Sequence, residues 1–176
     1  MKGTRVRQLR TMITELDKRD LASLLSTFKC YRSKDSERFL KEIAVIHEKR
    51  GISRTYLIMD FDDKRILGYY TLAIKCLSAD SSEIDPEIVR TMNIKDGIAQ
   101  AYLIGQLARA DDTVPGLGRM MISDALDRFS VANGMLGCRT VRLDCRDELI
   151  DYYTLYGFRH IRKNFDNDLN QMAVFI

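Results

Sequence analysis

AYLIGQLARADDTVPGLGRMMISDALDRFSVANG, residues 101–134, is the stretch from which the fold is read. Residues 101–110 are apolar and short enough for a buried strand. Residues 111–115 make a polar turn, and Gly116-Leu117-Gly118 follows. Beyond it Met121, Ile122, Ala125, Leu126, Phe129 and Ala132 recur at helical spacing and form one apolar face. Strand, glycine turn and helix together make a phosphate-binding device. The helix start offers N–H groups without intrahelical partners and the positive end of the dipole, and glycines let a phosphate approach the backbone. Arg119 adds a full positive charge in the first turn.

Two familiar phosphate loops do not fit. A nucleotide P-loop needs Gly-Lys-Ser/Thr at the helix start, whereas Arg119-Met120-Met121 follows Gly118. A dinucleotide fingerprint needs a third glycine where Met121 stands, and a bulky side chain there would fill the close helix–strand contact. An ordinary strand–helix turn, with glycines for tightness alone, is the other reading of the same residues.

The chain of 176 residues suits one domain, 1–176, with a sizeable core. Only two prolines occur, which argues against a long disordered linker. No apolar run is long enough to cross a membrane, and the charged start MKGTRVRQLR lacks the apolar stretch of a signal peptide. Cys30, Cys76, Cys138 and Cys145 have no Cys-x-x-Cys spacing and only two histidines are present, so no zinc site is expected. Reduced cysteines in a cytoplasmic protein are the simpler expectation. The net charge of +3 permits an anionic ligand or RNA without demanding either. Lys2, Arg5, Arg7, Arg10, Lys18 and Arg19 cluster near the start and read first as a solvated helix face.

Taken in order, Val6, Leu9, Met12, Ile13 and Leu16 predict an amphipathic helix over residues 4–17. Residues 24–30, LLSTFKC, read as a first strand. Ser33 or Asp35 caps a helix with the inner face Phe39, Leu40, Ile43, Ala44 and His47, ended by Gly51. SRTYLIMDF and ILGYYTLAIKC flank residues 62–65 as a hairpin. Residues 77–100 are longer than most connections and should hold structure of their own, with a short helix begun by Asp85-Pro86-Glu87. After the glycine turn and its helix come a strand at 140–145, a short helix at 146–156 closed by Gly157, and strands at 158–162 and 171–176. The order is mixed α/β, without repeats.

Two motifs now resemble one superfamily. Val114-Pro115-Gly116-Leu117-Gly118, after the strand ending Leu107-Ala108-Arg109, is similar to the acetyl-CoA pyrophosphate loop of GNAT N-acetyltransferases. Tyr152-Tyr153-Thr154-Leu155-Tyr156-Gly157-Phe158 is similar to their aromatic-Tyr-x-x-x-Gly-Phe signature. The two stand in the family's order, with one helix and one strand between them. Phe28-x-Cys30, Phe39-Leu40, Ser53-Arg54-Thr55-Tyr56-Leu57 and Gly68-Tyr69-Tyr70-Thr71-Leu72 resemble the toxin-like branch, which acetylates the α-amine of aminoacyl-tRNA and is held by a small antitoxin. The resemblance implies a single α/β domain whose mixed, mostly antiparallel sheet, flanked by helices, splays between its fourth and fifth strands.

It also implies acetyl-CoA as cofactor, held by Leu107, Ala108, Arg109, Val114, Pro115, Gly116, Leu117, Gly118 and Arg119, and direct transfer to a primary amine. The partners to expect are an amine acceptor such as aminoacyl-tRNA, an antitoxin and a second copy of the chain, with no membrane. A small amine or peptide acceptor, or a CoA-binding module without turnover, are the alternatives. The chain departs from the pattern at Thr113, where Gln or Arg is usual, and at Pro115, which removes one N–H from the cradle.

Within that implied chemistry, the register before Gly157 selects Tyr153 as the acid that protonates the departing thiolate. Tyr152 and Tyr156 read as packing residues. Many relatives carry a Glu on the fourth strand as base; Gln106 stands there and cannot accept a proton. Asp111 and Asp144 are the candidates by position. A lysine amine, pKa about 10.4, would need such a base more than an α-amine near about 8. Cys145 reads as a small lining residue, with no histidine near it in sequence to activate its thiol.

Overall fold

In a computed structural model of the chain, residues 3–60, 64–78, 84–92, 94–113, 115–164 and 167–176 are described. Among them the strands are, in chain order, β1 (Thr4–Gln8), β2 (Arg54–Asp60), β3 (Arg65–Ile74), β4 (Leu77–Ser78), β5 (Ile94–Lys95), β6 (Ile98–Ala99), β7 (Tyr102–Arg109), β8 (Thr140–Cys145), β9 (Arg159–Asn164) and β10 (Leu169–Phe175). Seven of them form one sheet in the order β1-β2-β3-β7-β8-β10-β9, and β4-β6-β5 form a small second one. The pairs β1–β2, β2–β3, β8–β10 and β9–β10 are antiparallel, and β7–β8 is parallel. The chain divides into two compact units, Met1–Ala73 with Gln106–Ser123 and Ile74–Gly105 with Asp124–Ile176.

In the first unit the start of the chain departs from expectation. Residues 4–8 are not helical: Thr4 to Gln8 pair with Asp60 to Tyr56 on β2, and α1 (Leu9–Glu15) begins only afterwards. The apolar spacing from Leu9 onward is truly helical, and extending it back to Val6 mistook an edge strand for a first turn. An outer strand of mostly polar, half-buried residues covers the β2 edge, a demand of the sheet that local periodicity does not carry. The strand expected at residues 24–30 is also absent. Asp17 accepts from the N–H groups of Arg19 and Asp20, both at 2.8 Å, and starts α2 (Lys18–Ser26). Leu21 and Leu25 then fall on the buried face of α2 and Phe28 is buried just beyond its end, so capping and spacing override the β-prone look of the run.

The next helix forms as expected, in three joined pieces: α3 (Lys34–Arg38) capped by Ser33, a π-helical turn at Phe39–Ile43, and α4 (Ala44–Arg50) ended by Gly51 at φ +69°. The hairpin is present too, β2 against β3 with a bulge between Ile58 and Met59. Most of its connecting turn, 61–63, lies outside the described residues. Leu9, Leu25, Phe28, Leu40, Leu57, Ile66 and Tyr69 form the centre of this unit's core, joined by Ala108 and Ala110. His47 meets Phe39 edge-on, ring centroids 5.3 Å apart, as a packing residue.

In the second unit, the described residues between 77 and 100 carry structure of their own, as expected. Asp85 accepts from the Glu87 N–H at 2.7 Å and caps α5 (Pro86–Thr91), and β4, β6 and β5 add the small sheet. Leu77, Ile84, Ile88, Met92, Ala99, Ile161 and Ala173 make its core. The glycine turn leads into α6 (Leu117–Leu136), which begins in the first unit and continues in the second. After β8, a short 3-10 turn at Asp147–Leu149 precedes α7 (Ile150–Thr154), and Gly157 takes φ +84°. The last two strands run a residue or two earlier or later than expected, through Arg159–Asn164 and Leu169–Phe175.

Candidate functional site

The site residues expected from the sequence fall in both units. The first unit holds the glycine turn. β7 ends at Arg109, and the Ala110 N–H donates to the Leu67 carbonyl at 2.8 Å, fixing the exit from the strand. Thr113 folds the turn on itself: its hydroxyl donates to the Ala110 carbonyl at 2.7 Å, and Arg109 Nη1 donates to the Thr113 carbonyl and hydroxyl oxygens at 3.4 and 3.3 Å. The residue that departs from the family pattern therefore closes the turn and steadies Arg109. Val114 lies outside the described residues.

Pro115 and Gly116 are exposed, and Gly116 sits at φ +95° with open space where a Cβ would stand. Its carbonyl accepts from the Met120 N–H at 3.1 Å, the opening bond of a twenty-residue helix. Helix geometry leaves the N–H groups of Leu117, Gly118 and Arg119 without intrahelical acceptors. The Leu117 side chain is buried and anchors the helix start, while Arg119 is exposed beside it. The turn thus meets the demands of an anion site: a glycine in the left-handed region, a long helix's positive end, and an exposed guanidinium.

Behind the turn, Gly68 of the Gly68-Tyr69-Tyr70-Thr71-Leu72 run has a packing role that its place in the motif did not indicate. A Cβ on Gly68 of β3 would lie 3.0 Å from the Ala108 carbonyl oxygen, 3.0 Å from Met121 Sδ and 3.2 Å from Leu117 Cδ2. The strand that carries Leu107, Ala108 and Arg109 and the first turn of α6 close on β3 at this point. A side chain there would have to push these neighbours aside, so glycine suits the close approach.

Gln106 lies one step earlier on β7, with its N–H donating to Thr71 Oγ1 at 2.8 Å and its side-chain oxygen accepting from Ser36 Oγ at 3.2 Å. Asp111 is already engaged: it accepts from the Tyr31 N–H at 2.6 Å, and its own N–H donates to the Lys29 carbonyl at 3.2 Å. Glu37 holds the other side of the same loop through the Cys30 N–H at 2.9 Å, with Lys41 also donating to it. These contacts, the Cys30 N–H first, lower the Glu37 carboxyl to about 2.

The second unit holds Tyr153, on α7. Its carbonyl accepts from the N–H groups of Tyr156 at 2.9 Å and Phe158 at 3.3 Å, the local closure that Gly157 makes possible. Its ring meets Phe158 and Tyr152 edge-on, centroids 5.9 and 5.2 Å apart. Burial, with Cys145 as a lesser cause, pushes the Tyr153 hydroxyl up to about 12, so it is fully protonated near neutral pH. Tyr152 packs between Tyr153 and Tyr156, as expected of a packing residue. Burial and then the carboxylates of Asp144, Asp147 and Glu148 push the Cys145 thiol up to about 11, which makes it a poor nucleophile. Asp144 is bound by the buried Arg142, whose Nη2 donates to both its oxygens at 2.6 and 2.9 Å. Both carboxylates read from the sequence as candidate bases are thus tied to structural partners.

Of the basic residues near the start, Arg7 pairs with Glu15, and Arg10, Lys18 and Arg19 are exposed. Among the described residues no group of three or more His, Cys, Asp or Glu could hold a metal ion, and no helix is long and apolar enough to cross a membrane.

The fold is similar to that of AtaT complexed with acetyl-methionyl-tRNAfMet, with 18% identity over 98% of this chain and 94% of that chain and a TM-score of 0.77. It is similar to a tyrosine-to-phenylalanine mutant of KacT, with 19% identity over 99% and 95% and a TM-score of 0.77. A mutant AtaT toxin bound to the C-terminus of the antitoxin AtaR and acetyl-CoA gives 17% identity over 99% and 94% and a TM-score of 0.74. No protein-family model matches the chain, and no curated protein does. The chain has the fold of these structures, the GNAT fold expected from its two motifs.

Proposed function

We propose that the chain, as one domain over 1–176, is an acetyl-CoA-dependent N-acetyltransferase acting on the α-amine of aminoacyl-tRNA. The observation that carries this is the turn into α6, with Pro115, Gly116 and Arg119 exposed and Gly116 at φ +95°, in a fold shared with AtaT complexed with acetyl-methionyl-tRNAfMet. Acetyl-CoA, when bound, supplies the activated acetyl thioester. The first-turn N–H groups of α6 and Arg119 would hold its pyrophosphate. Pro115 offers no N–H, but several donors and the helix dipole remain. The main chain of Leu107, Ala108 and Arg109 would hold the pantetheine arm, and an N–H there would polarise the thioester carbonyl. A parting of β7 from β8 beyond Ile104 belongs to this reading.

Tyr153 would keep a proton at its hydroxyl for the departing sulfur. A hydroxyl near 12 stays protonated until a basic sulfur forms beside it, and a hydrogen bond to that charge strengthens as it develops. An α-amine acceptor suits the three described positions that the sequence offers for a base. Gln106 is no base, and Asp111 and Asp144 are engaged elsewhere. An α-amine, about 8 in model peptides, is partly neutral without help, whereas a lysine near about 10.4 is not. The AtaT toxin bound to the C-terminus of the antitoxin AtaR extends the proposal to an antitoxin partner, and a second copy of the chain is kept as a further partner.

Release of the CoA thiol with aminoacyl-tRNA, peptides and small amines as acceptors tests the reading. Release with aminoacyl-tRNA well above that with free amines is expected. Release only with small amines or peptides moves the acceptor, and CoA binding without release with any acceptor makes the chain a binding module.

A further inference from the structure

Beside the end of β7, in the first unit, the loop that precedes α3 carries an exposed aromatic ring on a fixed backbone. Tyr31 is 70% exposed, although its neighbours Phe28 and Cys30 are buried. Loops that expose a large ring are usually free to move. This one is fastened at successive residues. The Lys29 carbonyl accepts from Asp111, the Cys30 N–H donates to Glu37, the Tyr31 N–H donates to Asp111 at 2.6 Å, and the Ser33 N–H donates to the Cys30 carbonyl at 3.2 Å. Lys34 Nζ lies over one face of the Tyr31 ring, 4.2 Å from its centre, and Arg32 lies beside Asp111 at 4.0 Å with its side chain 69% exposed. Lys29 is exposed as well.

An exposed ring on a fastened backbone, with Lys34 over one face and Arg32 and Lys29 exposed in the same loop, has a definite chemical complement on its other face. A base offers a flat π-face to the ring, and the phosphates on either side of it meet Arg32, Lys34 and Lys29. Single-stranded RNA ends are bound by stacking on aromatic side chains together with such charges. Holding the backbone before binding lowers the ordering cost of the contact. Asp111 and Glu37 do not oppose this: their carboxylates are turned to the loop's own N–H groups, and Lys41 and Lys34 lie against Glu37.

We propose that Tyr31 is a stacking platform for an unpaired base at the 3′ end of the acceptor RNA, with Arg32 and Lys34 taking the adjoining phosphates. This rests on the RNA acceptor proposed above, and its test reads binding rather than acetyl transfer. The probes are an uncharged tRNA acceptor-stem hairpin with its unpaired 3′ nucleotides and the same hairpin made blunt, titrated by fluorescence anisotropy. The Tyr31→Ala variant should bind the overhang hairpin about 5- to 150-fold more weakly than wild type, the range for one base–aromatic stack. Tyr31→Phe should bind as wild type, and the blunt hairpin should not distinguish the variants. CoA affinity, measured by calorimetry, should be equal in all three proteins. Equal overhang binding by wild type and Tyr31→Ala overturns the platform and leaves the acceptor proposal standing. Failure of wild type to bind either hairpin at low salt overturns the RNA acceptor and the platform with it.

Discussion

Phe158 closes over the turn that carries Tyr153: its N–H donates to the Tyr153 carbonyl at 3.3 Å, and its ring meets the tyrosine edge-on at 5.9 Å. The residues that end the helix therefore fix the backbone and pack the ring of Tyr153, because Gly157 at φ +84° turns the chain back on itself. The proposed acid is held by backbone and packing, with no charged partner needed.

Tyr153→Phe keeps those ring contacts and removes only the hydroxyl. Turnover should fall by about a hundred- to ten-thousandfold with acetyl-CoA affinity nearly intact, as for loss of a general acid. Tyr152→Phe and Tyr156→Phe should stay within a few-fold of wild type. Single-turnover kinetics with thermal melts on all three variants separate chemistry from folding.

The pH dependence follows from the raised Tyr153 hydroxyl. With a folded value of about 12 against an ordinary value of about 10, the acid remains protonated throughout the usual assay range. The rate should rise with pH as an α-amine near about 8 loses its proton, and should not fall through pH 10. The sign for stability is the same: the folded state binds the proton more tightly, so stability is lost only as pH rises from about 10 to about 12. A rate profile in a mixed buffer, with stability checked at each pH, reads both.

The two glycines around the helix start should fail differently. Gly116→Val forces a β-branched residue to φ +95° and puts its side chain in the open space of the turn, so CoA affinity should drop at least about tenfold, or about 1.4 kcal/mol. Gly68→Ala places a methyl 3.0 Å from the Ala108 carbonyl oxygen, a backbone atom that cannot swing aside. It should cost about 1–3 kcal/mol of stability, as overpacking does. Calorimetry with CoA and urea unfolding distinguish the two effects.

Glu37 fastens the loop that carries Tyr31, and its carboxyl is lowered to about 2 by the Cys30 N–H and Lys41. A carboxylate lowered in the folded state stabilises it above the ordinary value of about 4.3 and loses that effect as pH falls toward about 2. Glu37→Gln should melt lower than wild type at neutral pH, and the gap should close between about pH 4 and about pH 2. A constant gap across that range would mean the contact acts through packing alone.

The elements with their own punctuation were legible: Asp85-Pro86 opened α5, Ser33 and Gly51 bounded the long helix, and glycines marked both motifs. What stayed hidden was set by partners distant in sequence. Residues 4–8 become a strand because β2 needs an edge partner, and Gly68 suits the close approach of Ala108 forty positions on. The run at residues 24–30 carried a true helical signal in Leu21, Leu25 and the Asp17 cap, outweighed in the reading by its strand-like composition. In the site, the glycine turn was readable as a motif, whereas the engagement of Asp111 and Asp144 by Tyr31 and Arg142 was not, since neither partner is marked by spacing.

The central claim is tested most directly by following the acetyl group itself. The chain is incubated with labelled acetyl-CoA and an aminoacyl-tRNA, the ester is hydrolysed, and the released amino acid is identified by mass spectrometry. The account predicts an N-acetylated amino acid in amounts that match the CoA thiol released, with the signal strongly reduced in Tyr153→Phe. Unmodified amino acid from charged tRNA, while the same preparation acetylates small amines or peptides, would contradict it.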